Sequence, residues 1–150
     1  MKTLPIVFFL VLASVTFTDA ETKIGLDDTT GRIVDTAIPG SFTSPEGVVA
    51  ALFSLSDQAS NKNLKVPFTK DQPPGARAKR DLIAFYRGAR WDGTTIIVSF
   101  DGGAMDYLNN SASFQQSVKG SIERSLKLNF PKMTKVAYEV DGKIVEGWDA

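Results

Sequence analysis

Apolar positions along the chain follow two periods. Phe114, Val118, Ile122 and Leu126 stand four residues apart, separated by Gln115, Gln116, Lys119, Glu123, Arg124 and other polar residues. This spacing gathers the apolar side chains on one helix face and predicts a helix over 113–129. Ser111 or Ser113 can cap it, and Pro131 stops it. Gly120 lies inside, where glycine costs about 1 kcal/mol relative to alanine; a close approach to a sheet would explain it. A second helix is predicted over 45–60. Ser44 is its cap, Pro45 suits its first position, and Glu46 favours the positive end of the helix dipole. Val48, Leu52, Leu55 and Ala59 form its stripe, widened by Val49 and Phe53.

Elsewhere the period is two. In Thr94–Phe100, Ile96, Val98 and Phe100 point one way and Ile97 and Ser99 the other. Ile97 on the second face predicts a central strand covered, at least in part, on both sides. Asp81–Arg87 is its predicted hairpin partner across Trp91-Asp92-Gly93-Thr94. Lys135–Val140 alternates, Asp141-Gly142 supplies a tight turn, and Lys143–Trp148 returns. Nearer the start, Thr22–Leu26 reads as an edge strand, Asp27–Gly31 as a turn cluster, and Arg32–Ala37 as a strand ended by Pro39-Gly40. Leu64–Phe68 contains Pro67, which places it at a sheet edge. Together these elements predict an α+β fold: a single small domain with a mixed or antiparallel sheet and two main helices packed on one face.

A chain of 150 residues suffices for one domain with a real core. Its 17 basic and 17 acidic residues cancel, so net charge favours neither nucleic acid nor an anionic membrane. Cysteine and histidine are absent. That excludes thiol nucleophiles, Ser-His triads, histidine bases, disulfides, and thiolate or imidazole metal ligands.

Met1–Ala20 has the form of a secretory signal peptide. Lys2 precedes the apolar run Leu4–Ala13, too short to span a bilayer comfortably, and Thr18-Asp19-Ala20 presents small residues at a cleavage site. The expected mature domain is 21–150, exported to the periplasm or the medium. Removing Lys2 and Asp19 leaves it 16 charges of each sign. No second hydrophobic segment follows, so no transmembrane segment is expected in the mature chain.

Candidate chemistry is sparse. Arg77, Lys79, Arg80, Arg87 and Arg90 fall within fourteen residues, with Trp91 beside them. Arg77, Arg80, Arg87, Arg90 and Trp91 form a candidate patch for an anionic partner; a solvated strand face plus loop is the plainer reading. Carboxylate-only chemistry would draw on Asp101, Asp106, Glu123 and Asp149, two of them roughly 5–9 Å apart in a cleft. Gly102-Gly103 lacks the lysine of a phosphate loop, and Asp101 and Asp106 lack the twelve-residue calcium pattern. No catalytic residue set, cofactor or metal is therefore expected.

Several segments in sequence resemble the GerMN domain, the sporulation and spore germination domain of bacterial envelope proteins. They are Val98-Ser99-Phe100-Asp101 closing a valine-rich strand, Ile122–Leu126 in the following helix, Phe130–Val136 with its Phe-Pro, and Val140–Lys143 in the closing hairpin. The likeness is firmest over Pro73–Trp148. It implies a small α+β domain of an exported, non-catalytic module for binding or assembly in the cell envelope. An envelope protein or cell-wall polymer would be the partner, with no role for nucleic acid. A small carboxylate-dependent glycan hydrolase and a homo-oligomer stacked through strand edges are the alternatives.

Overall fold

The computed structural model describes residues 20–28, 30–55, 63–68, 82–105 and 111–145. Apart from Ala20, the expected leader lies outside them. Among these residues seven strands and two main helices follow one another: β1 (Glu21–Asp28), β2 (Ile33–Pro39), α1 (Pro45–Phe53), β3 (Leu64–Lys65), β4 (Tyr86–Asp92), β5 (Thr95–Phe100), α2 (Ala112–Asn129), β6 (Lys135–Val140) and β7 (Lys143–Val145). The class is α+β, as predicted, but the strands form two sheets. One runs β2-β1-β3 and is antiparallel; the other runs β4-β5-β6-β7.

β5 is central in its sheet and its residues Ile96, Ile97 and Val98 are buried, as the two-faced apolar pattern requires. It pairs antiparallel with β4 and parallel with β6. A parallel pair needs a crossover, and α2 supplies it. The ladder continues past both ends of this pair, through Thr134 N to Thr94 O at 2.9 Å and Asp141 N to Phe100 O at 3.0 Å. The β6–β7 turn has Asp141 and Gly142 both at positive φ, 49° and 77°. This is the conformation that an Asp-Gly pair accepts most easily.

Three elements differ from the sequence expectation. β4 begins at Tyr86, not Asp81: Leu82–Ala84 forms a 3-10 turn anchored by buried Leu82. Trp91 and Asp92 belong to the strand, and the turn is Gly93-Thr94, with Gly93 at φ 59°. The strand irregularity between Tyr86 and Gly88 shifts the alternation that the sequence pattern relied on. α1 stops at Phe53; Ser54, its C-cap, still donates both its N–H and its Oγ to Ala50 O. β1 is the middle strand of its sheet and not an edge. The last residues of the expected return strand, 146–148, lie outside the described residues.

Both helices have the caps expected. Ser44 Oγ accepts from Gly47 N at 3.1 Å, and Ser111 Oγ from Phe114 N at 3.2 Å. α1 packs on β4 and α2, and its final Phe53 is the hub of an aromatic cluster. Phe68, Tyr86 and Phe100 have ring centroids 5.0, 5.3 and 5.9 Å from it. Val118, Ile122 and Leu126 put the apolar stripe of α2 in the same core.

A second face of α2 meets β1. β1 pairs with β3 only at Asp27 and Asp28, and among the described residues no strand covers the rest of that edge. Side chains of α2 take its place. Gly25 N donates to Ser125 Oγ at 2.9 Å, and Asn129 Nδ2 donates to Lys23 O at 2.7 Å. Arg124 grips Asp35 of β2 through two 2.7 Å hydrogen bonds. The approach is close enough that a Cβ on Gly25 would lie 2.6 Å from Arg124 Cβ and Cγ. A Cβ on Gly120 would likewise lie 3.0 Å from Ile33 Cγ1, in keeping with the close sheet approach expected there. No helix among the described residues is long and apolar enough to cross a membrane.

Two substitutions test this docking by urea unfolding. Ser125→Ala leaves Gly25 N buried without its acceptor and is expected to cost about 1–3 kcal/mol. Gly25→Ala overpacks the contact and is expected to cost about as much or more. Wild-type stability in both would show that the Gly25–Ser125 contact adds nothing to the docking of α2.

Candidate functional site

β1 carries two adjacent aspartates with different surroundings. Asp28 organises the turn to β2: its Oδ1 accepts from Thr30 N and Thr30 Oγ1 at 2.7 Å and from Arg32 N at 3.0 Å. These bonds, the Thr30 hydroxyl first, hold its carboxyl below the ordinary range. Strand alternation turns Asp27 the other way, where it is only 6% exposed. Its Oδ1 has no hydrogen-bond partner among the described residues. Lys65 is directly opposite on β3, yet the two make no ion pair among the described residues.

The N-terminal half of α2 lies over Asp27. Ser117, Ser121 and Ser125 stand four apart and are all buried. Ser125 is satisfied by Gly25 and by Ser121 O. Ser117 Oγ, Ser121 Oγ and the neighbouring Gln115 Nε2 have no partner among the described residues. Buried polar atoms are satisfied in the great majority of cases, so this concentration calls for an explanation.

Asp27 and Ser117 line one pocket of about 580 Å³, a size within the usual range for small-molecule sites. Ile33, Pro67 and Phe114 supply apolar wall, Lys65 is its basic residue, and Ser111 and Ser113 bring the first turn of α2 to it. Its chemistry is thus one buried carboxylate, several hydroxyls, one ammonium and the positive end of a helix dipole. Sequence reasoning assigned Asp27 to a turn and passed over the serines, although their four-residue spacing was visible.

The five residues of the basic–aromatic patch are distributed differently. Arg77 and Arg80 lie outside the described residues. Arg87 pairs with Asp101 and also donates to Ala84 O and Tyr86 O at 3.2 Å. Arg90 holds Glu139 through bonds of 2.7 and 3.1 Å, and Ser99 Oγ joins both residues. This network crosses β4, β5 and β6. It raises the Arg90 pKa and lowers that of Glu139, mainly through their mutual hydrogen bonds. Trp91, 42% exposed, follows Arg90 in the strand and so points to the opposite face, edge-on to Phe130 at 5.8 Å.

The four candidate carboxylates do not assemble a described pair. Asp106 and Asp149 lie outside the described residues. Asp101, after β5, is engaged by Arg87 and by Gly103 N at 3.1 Å. Glu123, in the middle of α2, accepts from Tyr138 Oη at 3.2 Å. Burial, reinforced by Glu123, pushes the Tyr138 phenol well up, while Lys119 Nζ sits 5.8 Å from its ring centre. Among the described residues no group of three or more acidic residues is placed to hold a metal ion.

No family model, curated protein or solved structure matches the chain.

The Arg90–Glu139 pair gives a pH expectation. A carboxyl lowered in the folded state adds stability that is present above its ordinary value of 4.5 and is lost as pH falls through its folded value. Glu139→Gln should therefore flatten the loss of thermal stability between pH 5 and pH 3. An unchanged acid slope would mean that the pair contributes nothing measurable.

Proposed function

We propose that the protein is an exported, non-catalytic binding module of the bacterial cell envelope, and that its ligand enters the pocket between β1 and the start of α2. The observation that carries the binding reading is Asp27 Oδ1, a buried carboxylate oxygen without a partner among the described residues, with Ser117 Oγ in the same condition and both residues in the lining of one pocket. Leaving such groups unmet costs about 1–3 kcal/mol each. Proteins accept a cost of this kind where binding needs the group. The non-catalytic part of the reading rests on the absence of histidine and cysteine from the sequence and on the GerMN-like segments. Export rests on the signal-like pattern of Met1–Ala20. The partner would be a component of the envelope: a protein or a wall polymer, met through a fragment small enough for the pocket.

Asp27→Val tests the site. It removes the unmet carboxylate and keeps a residue suited to a strand. The variant is expected to be more stable than wild type by about 1–3 kcal/mol in urea unfolding. A loss of stability would make Asp27 a structural residue and end the reading. Export is tested separately by intact-mass measurement of the protein from envelope and medium fractions. A chain beginning at Glu21 is expected, and one retaining Met1 would overturn it.

A further inference from the structure

β2 is the outer strand of its sheet, and among the described residues no strand pairs with its far side. Which of its backbone groups point there follows from the ladder. Asp28 N donates to Arg32 O and Gly40 N to Ala20 O, both at 2.8 Å. Bonded and non-bonded pairs alternate along an antiparallel ladder. The unbroken β1–β2 register therefore makes Val34, Thr36 and Ile38 the residues of β2 that bond to β1. Ile33, Asp35 and Ala37 turn their N–H and C=O outward, joined by the C=O of Pro39. β1 obeys the same parity: Lys23 O and Gly25 N, on its far side, are the groups that meet α2. Asp35, Ala37 and Pro39 are exposed.

Sheet edges are commonly guarded by shortness, a lysine, a bulge or a proline. β3 has two residues, β7 has three and begins with Lys143, and β4 is irregular between Tyr86 and Gly88. β2 has seven residues in continuous register, and its one proline comes last. Its one charge, Asp35, is held by Arg124.

We infer that this edge takes a second copy of the chain, with the two β2 strands antiparallel about a two-fold axis at Thr36. In that register Asp35 exchanges both backbone bonds with Ala37 of the second copy, and Ala37 does the same with its Asp35. Ile33 N adds a bond to Pro39 O of the second copy, and the reverse contact another, for about six in all. Val34 stands opposite Ile38 of the second copy, an apolar cross-strand pair. An axis at Asp35 would set two like carboxylates face to face. An axis at Ala37 would retain only about four bonds, because Pro39 has no N–H to give. The edge is thus complementary to itself, which is what a closed two-fold interface requires. Charge favours the same occupant. The chain's 17 basic and 17 acidic residues cancel, so two copies approach without net repulsion. With Asp35 already paired, the strand offers no charge to select an ionic partner. This inference does not depend on the pocket reading.

The test is sedimentation of the purified protein over rising concentration, joined to amide hydrogen exchange. A reversible monomer–dimer equilibrium is expected. The amides of Ile33, Asp35 and Ala37 should gain protection as the dimer forms, while those of Val34, Thr36 and Ile38 are protected throughout. Ala37→Pro, of a kind that edge strands tolerate, removes one outward donor from each copy and is expected to weaken the dimer about tenfold or more. The chain has no cysteine, so Thr36→Cys places a unique thiol at the axis. Facing residues of a non-bonded pair have Cα atoms about 4.5 Å apart, within disulfide reach. Under air oxidation this variant is expected to cross-link about tenfold faster than Ala37→Cys. A protein that stays monomeric at every concentration overturns the inference. Its edge is then left for a different partner if the three outward amides exchange freely, and is covered by the chain itself if they are protected. A dimer in which those amides stay unprotected, or in which Ala37→Cys links as fast as Thr36→Cys, overturns the inference too.

Discussion

The structure depends on one substitution of kinds: side chains of a helix do the hydrogen bonding that a neighbouring strand would do. A bare β edge exposes alternating N–H and C=O groups, and burying them without partners is destabilising. Ser125 and Asn129 meet those of Gly25 and Lys23. The same helix faces the core with Val118, Ile122 and Leu126 and connects two parallel strands of the other sheet. α2 therefore ties two sheets that share no strand. Gly25 matters because any side chain there would push the helix away from the groups it must reach.

How much of this was legible in the sequence varies with the range of the interaction. Local signals were sound. Ser44 and Ser111 cap their helices, Asp141-Gly142 turns the chain, and Ile97 marks a strand covered on both faces. Long-range pairing was not legible. Nothing near β1 indicates that its partner is a serine one hundred residues away. Ser117, Ser121 and Ser125 were passed over, because nothing local in a helix sequence marks a small polar residue as buried. Asp27 was hidden for a similar reason: beside Asp28 and Thr30 it looked like one more turn residue. Only the strand's alternation separates the two aspartates into a solvent-facing loop organiser and a buried group.

The charged surface of the second sheet and the pocket of the first illustrate opposite uses of polar residues. Arg90, Glu139 and Ser99 satisfy one another across three strands. In exposed positions such contacts add little stability, but their geometry favours one register of β4, β5 and β6. Asp27 and Ser117 are buried and left unmet. A satisfied network has little reason to bind anything further, and an unsatisfied one does. That contrast directs attention from the arginine-rich surface to the less conspicuous site under α2.

The hundred-residue span between Gly25 and Ser125 also has a consequence in time. The chain is made from its N-terminus, so the first hairpin emerges long before the helix that covers its edge. At about 5–20 residues per second, the edge waits on the order of 5–20 seconds during synthesis. For that interval it is an open template for pairing with other chains. The nascent hairpin thus carries an uncovered edge until α2 arrives.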